Sequence, residues 1–180
     1  MCDNDNVDFS LDASKAVLVR TPATLRALLL GLGEEWTERD EGPGTWSPYQ
    51  VVGHMAHIEE CDWMDRTNSI LAEGGPHEFE PVDREAGFAK FDGLSMADVL
   101  ERFAVARAAN LGQLEELVSR ADLDRVGIHP DFGEVTLRQL LATWVVHDFN
   151  HLDQITKTMA KQFSSAIGPW RANLPIVDAP

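Results

Sequence analysis

The sequence predicts an all-α fold, a four-helix bundle with a long loop between the second and third helices, and three observations predict it. Apolar residues recur at helical spacing in four long stretches: Leu11 to about Trp36, Ser47 to about Ala72, Ser95 through Val118, and Thr136 to about Gln162. Each stretch after the first opens with a hydroxyl residue followed three positions later by Gln or Asp, the spacing of a capping box. Little strand-like alternation lies between them, so the helices must bury their apolar faces against one another. At 180 residues the chain is expected to form a single domain, long enough to bury a core without disulfides or a structural metal. A metal bound here would serve function rather than folding.

Residues 1–10 are polar and expected to be flexible. From Leu11 one helical rod is expected, which Thr21-Pro22 either opens or restarts, because Pro suits the first helical position. Leu25, Leu28, Leu29 and Leu32 form its apolar face, and the charged, Gly-rich run from Thr37 to Thr45 ends it. The second helix starts at Ser47-Pro48-Tyr49-Gln50 and stops before Gly74-Gly75-Pro76. One side of it carries Val51, His54, Ile58, Cys61 and Asp65, mixing apolar groups with metal-ligand types. The other side carries Val52, Ala56, Trp63 and Ile70, a pattern expected of a helix wedged in a core or touching another subunit.

Residues 73–94 show no sustained period despite Phe79, Phe88 and Phe91, and are expected to form a long ordered loop of the kind that covers a site. The third helix, capped by Ser95 and Asp98, has a core stripe of Met96, Leu100, Phe103, Leu111, Leu114 and Val118. Arg107 falls in that stripe, where a snorkelling surface arginine is the expected reading and a partner for a buried carboxylate the alternative. His129-Pro130-Asp131-Phe132-Gly133 marks a turn or small hairpin before Thr136 and Gln139 cap the fourth helix. Leu140, Trp144, His147, His151, Gln154 and Thr158 share one side of that helix; Leu137, Leu141, Val145, Leu152 and Ile155 form an adjoining strip. The tail from Phe163 to Pro180 is expected to be irregular and to pack by Trp170.

Thirty acidic against 15 basic side chains leave a formal charge of -15, which would repel a phosphate backbone, and no basic cluster offers an exception, so nucleic acid is set aside. The N-terminus lacks a secretory pattern and no apolar run is long enough to span a bilayer, so a cytoplasmic protein without membrane attachment is expected. Cys2 and Cys61 lack framework spacing and read as free thiols.

His147 and His151 are the strongest chemical signal. Four residues advance a helix by ~400°, so the two imidazoles point the same way about one turn apart, close enough to grip one ion. The remaining ligand must come from a facing helix. His77 and His129 lie in loops and read as exposed polar residues. His54 shares its stripe with Val51 and Ile58, while His57 is rotated by ~60°, so spacing favours His54 without excluding His57. A three-histidine set with an open position suits Zn, Ni or a similar divalent ion. On spacing alone, packed core histidines remain an equal alternative.

Trp46-Ser47-Pro48, the run Val51-Val52-Gly53-His54-Met55-Ala56-His57, and Thr136-Leu137-Arg138-Gln139-Leu140-Leu141 leading into His147-Asp148-Phe149-Asn150-His151 resemble the DinB-like family, its YfiT-type group of metalloenzymes. The likeness extends in order over nearly the whole chain, including Gly168-Pro169-Trp170-Arg171. It implies a four-helix bundle, often a homodimer, with a divalent metal held by three histidines. By position these are His54, His147 and His151, leaving His57 at the rim of the pocket.

Such a site can act through a metal-bound water or can hold a thiol as thiolate. The resemblance implies an enzyme of thiol S-transferase or hydrolase type, with a small-molecule substrate that includes low-molecular-weight thiols. Asp148 is a candidate carboxylate for orienting a ligand imidazole or else a surface charge, and Gln154 and Asp65 lie further along the metal-facing stripes. Cys61 faces the same stripe, where a small buried hydrophobe is the favoured reading. The alternatives are a stress-associated bundle that binds metal or a small ligand without turnover, and a bundle dimerising through its Trp63 side with the histidines merely packed.

Overall fold

The structure, a computed structural model, describes residues 8–118 and 122–178; Cys2 lies outside them. The single rod expected from Leu11 is three helices: α1 (Leu11–Leu18), α2 (Thr21–Leu29) and α3 (Glu34–Thr37). Ser10 caps α1 by accepting from the Ala13 N–H. Pro22 has no N–H to bond the Leu18 carbonyl four residues back, so the ladder breaks there and α2 restarts. Leu30 turns extended and Gly31 takes φ 83°, which a side-chain-bearing residue rarely adopts, and the chain leaves the helix.

The second rod is α4 (Pro48–Cys61) and α5 (Trp63–Leu71), interrupted at Asp62, whose carboxylate pairs with Arg66. Ser47 and Gln50 form the expected reciprocal capping box. The 73–94 segment holds a short helix, α6 (Ala86–Phe91), and a parallel bridge from Glu78 to Ile128. α7 (Met96–Val118) and α8 (Leu137–Lys161) complete the bundle. Between them a hairpin pairs β1 (Val126–His129) with β2 (Gly133–Thr136), in the register Val126 to Thr136. Thr136 and Gln139 cap α8 reciprocally, as their spacing predicts. α4 packs against both α7 and α8, while α1 lies on α8 and α2 on α7.

Val52, Ala56, Trp63 and Ile70 are buried within one chain, so that side of the second rod is a core wedge. The reading of the Trp63 side as a dimer surface is therefore corrected. The tail is also different from expectation: it forms 3-10 helices at Gly168–Asn173 and Pro175–Val177, with Val177 buried and Trp170 70% exposed. No helix among the described residues is long and apolar enough to cross a membrane.

The buried apolar side chains form two clusters. One gathers Leu18, Ile58, Trp63, Leu114, Leu137 and Trp144; the other gathers Leu25, Val52, Met55, Leu100, Phe103 and Ile155. In α7, Phe103 and Leu114 belong to different clusters with Arg107 and Asn110 between them; in α8, Trp144 and Ile155 flank His147, Asp148 and His151. A polar belt thus crosses the bundle between two apolar cores, and the candidate site lies in it.

Candidate metal centre

His54 projects from α4, and His147 and His151 project one turn apart from α8. Their ring nitrogens converge: His147 Nε2 is 3.2 Å from His54 Nε2 and 3.1 Å from His151 Nε2, and one ligand atom from each ring lies within 4.8 Å of the others. Two nitrogens each ~2.05 Å from a tetrahedral zinc ion stand about 3.3 Å apart, so the spacing matches what a metal of that class requires.

The outer nitrogens explain why the inner ones converge. His54 Nδ1 donates to the Arg84 carbonyl at 2.8 Å, and His151 Nδ1 donates to Gln154 Oε1 at 2.9 Å. With Nδ1 carrying the proton in both, each Nε2 presents a lone pair, the state that a metal ligand needs. Burial is the chief cause that lowers His54 to about 4 and His147 to about 2, and it lowers His151 as well. All three rings are neutral at pH 7. Nearby positive charge adds to the effect, Arg84 acting on both His54 and His147.

The Arg84 carbonyl reaches His54 because α6 lies flush on α4. A Cβ added at Gly87 would come within 2.7 Å of the Gly53 carbonyl oxygen and 3.0 Å of His57 Cβ, so the approach admits only glycine without a shift. Aromatic rings wall the site. Trp46 lies 5.0 Å from the His54 ring and stacks at 6.4 Å on His151, Phe88 meets Trp46 edge-on at 5.0 Å, and Trp63 is edge-on to His147 at 5.2 Å. His54 and His151 are buried, whereas His147 is partly exposed.

Beside the histidines stands a second polar group centred on Arg107. Its guanidinium donates in a bidentate pair to Asp148 at 2.7 and 2.8 Å, to Glu59 Oε1 at 2.8 Å, and to the Leu18 carbonyl at 2.8 Å. That carbonyl is the one Pro22 leaves without a helical partner. Glu59 also accepts from Trp144 Nε1 at 2.8 Å and Asn110 Nδ2 at 2.9 Å. Arg107 is 2% exposed, so the snorkelling reading is corrected: its core-facing position reflects buried carboxylates on α4 and α8. Burial pushes the Glu59 carboxyl up, while Arg107 and the other donors pull it down.

Asp148 is fully buried with both oxygens on Arg107, so it is neither a surface charge nor the orienting partner of a ligand imidazole. Gln154 takes that part for His151, and a backbone carbonyl takes it for His54. The carbonyl was not visible from sequence, since a main-chain acceptor in an aperiodic loop leaves no residue-type signal. Asp65 is exposed. His57 is half-buried beside Cys61, whose Sγ lies 3.5 Å from the His57 Nε2, and burial raises the Cys61 thiol. Neither joins the convergent set. His77 is exposed, as expected of a loop histidine, whereas His129 is buried in β1 and accepts from the Asp131 N–H; neither approaches the three.

A family model for the DinB superfamily matches residues 18–155. Among solved structures, the chain is similar to YfiT from Bacillus subtilis, described as a probable metal-dependent hydrolase with an unusual four-helix bundle topology, at 21% identity and a TM-score of 0.69, over 91% of this chain and 92% of that one. It is also similar to TT2238, described as a four-helix bundle protein, at 26% identity and a TM-score of 0.52, over 82% of this chain and 98% of that one. No curated protein matches the chain. With the match spanning most of its length, α2 through most of α8 and the three histidines included, the chain belongs to the DinB superfamily.

Proposed function

We propose that the chain is a divalent-metal enzyme of hydrolase or thiol S-transferase type, with His54, His147 and His151 as ligands and Zn or Ni as the metal. The convergence of three neutral Nε2 atoms, two of them with the proton held on the far nitrogen by a named acceptor, carries this reading. A divalent ion on three uncharged ligands keeps its full charge and, when bound, supplies the Lewis acidity that turns a water or thiol into a nucleophile near neutral pH.

The residues of the chain do the remaining work. Arg84 and Gln154 fix the ring orientations, and Trp46 and Trp63 shield the buried flanks. The description of YfiT as a probable metal-dependent hydrolase favours the hydrolytic branch. A cytoplasmic homodimer belongs to the same proposal, with Val146 and Phe149 as an exposed apolar strip on α8 and Cys61 a free thiol.

Metal analysis of protein purified without a histidine tag tests the ligand set. Near-stoichiometric metal that falls in both His54→Ala and His151→Ala is expected; wild-type protein that takes up none after reconstitution refutes the reading. Ester, amide and thiol-conjugation panels on metal-loaded and chelated protein then separate the two branches. Metal uptake with no turnover in any panel would leave the non-catalytic binding reading standing.

A further inference from the structure

The three ligand rings are not held alike. The outer nitrogens of His54 and His151 are bonded to the Arg84 carbonyl and to Gln154 Oε1, and both rings pack on Trp46. Among the described residues, none forms a hydrogen bond with the outer nitrogen of His147. Its main chain is fixed by the next residue, Asp148, whose two carboxylate oxygens both engage Arg107. Its ring, however, turns about two single bonds, and either rotation would swing Nε2 out of the convergence unless packing prevents it.

Apart from its fellow ligands, the ring that meets His147 among the described residues is Trp63, edge-on at 5.2 Å with the planes at 77°. Trp63 is buried and opens α5 directly after the break at Asp62. Trp144 in turn backs Trp63, stacking on it with centroids 5.4 Å apart and planes within 11°. A stacked ring can still slide or turn in its own plane. Trp144 is held against this, because its indole N–H donates to Glu59 Oε1 at 2.8 Å and, with the side chain fully buried, has no water to turn to. Glu59 is secured from two further sides, by Arg107 at 2.8 Å and Asn110 at 2.9 Å.

We propose that Trp63 is the positioning residue of His147, and that Trp144, tied to Glu59, holds Trp63 in place. The third ligand is thereby oriented by packing that leads back to the Arg107 network, whereas the other two are oriented by hydrogen bonds. The inference rests on the metal reading above and deepens it by naming the residues that set the third ligand.

Competition titration of Co(II) against a chelator, at a temperature where every variant is folded, tests it. The d–d absorption of the bound ion is a second readout, which follows the arrangement of the ligands rather than the stability of the fold. Trp63→Met removes the ring from His147 and should weaken Co(II) binding ~10-fold or more and alter the d–d bands. Trp144→Phe keeps a ring against Trp63 but removes the N–H; a smaller loss of about 3-fold or more, within what one hydrogen bond contributes, is expected, again with altered bands. Leu25→Ala, at a buried leucine of the other apolar cluster, should lower the urea midpoint while leaving affinity and bands as in wild type. Unchanged affinity in either tryptophan variant, or a loss in Leu25→Ala equal to that in Trp63→Met, overturns the inference while leaving the metal reading intact. Should Trp63→Met not fold, Trp144→Phe decides alone by the same criterion. Failure of wild type to take up Co(II) overturns the metal reading and this inference together.

Discussion

The polar belt between the two apolar cores contains two groups of buried side chains, and they are completed in opposite ways. Around Arg107, donors and acceptors are matched: the guanidinium meets two carboxylates and a carbonyl, and Glu59 takes donors from Trp144 and Asn110 as well. Around His147, the Nε2 lone pairs of His54 and His151 both point at one imidazole nitrogen, whose single proton can serve only one of them, so a lone pair is left over for a cation. The first group ties α4, α7, α8 and the end of α1 together; the second spans α4 and α8 and includes the partly exposed His147. A saturated network fixes geometry and binds nothing, whereas a convergent, partly accessible set of like atoms is suited to a ligand. The two are joined, since Trp144 bonds Glu59 and stacks at 5.4 Å on Trp63, which in turn packs on His147.

The largest expected effect falls on the saturated group. Arg107→Ala leaves two carboxylates buried without their cation and should cost about 3–5 kcal/mol of unfolding free energy, read from urea denaturation of the metal-free protein. A loss under 1 kcal/mol, roughly what an exposed ion pair contributes, would erase the contrast between the groups.

His151→Ala should do the reverse, weakening metal binding by on the order of 100-fold or more while moving the metal-free urea midpoint far less than Arg107→Ala does. Gln154→Ala removes only the anchor of that ring, and a loss of about 10–100-fold in metal affinity is expected by competition titration. Gly87→Ala forces α6 away from the Gly53 carbonyl; a destabilisation of about 1–3 kcal/mol should accompany weaker metal binding, because the Arg84 carbonyl moves with it. Unchanged affinity in that variant would show that the carbonyl does not orient His54.

Acidification should weaken the fold through the histidines themselves, with no substitution needed. An unfolded histidine titrates near 6.5, and burial holds His54 at about 4 and His147 at about 2 in the fold, so the unfolded chain takes up these protons first. The stability due to neutral imidazoles is therefore full above pH 6.5 and lost as the pH falls from 6.5, down to about 4 for His54 and to about 2 for His147. The metal-free urea midpoint should drop between pH 7 and 5, and less steeply in His54→Gln; equal slopes would remove His54 from the account.

Much of this was legible in the sequence because helices carry local signals. Cap residues at Ser47, Ser95 and Thr136 opened helices where expected, and the spacing of His147 and His151 placed both rings on one face. His54 needed the family resemblance as well as its stripe, since spacing alone left His57 open. Arg107 is not legible for a physical reason: periodicity reports which face a residue occupies but not what lies opposite, and its carboxylates are 41 and 48 residues away. Thr21-Pro22 signals a helix that opens or restarts, but no local rule says that the carbonyl Pro22 frees will meet a guanidinium on α7.

The sequence by itself determined the helical rods, their caps and the faces on which the histidines lie, because these follow from contacts within a few residues along one backbone. Only the tertiary structure decided that Arg107 and Asp148 form one buried pair, that Gly53 and Gly87 bring α6 against α4, and that Arg84 holds His54 with its carbonyl. These depend on distances between elements far apart in the chain, which are set when the two apolar clusters pack and the polar residues between them must find partners or a ligand.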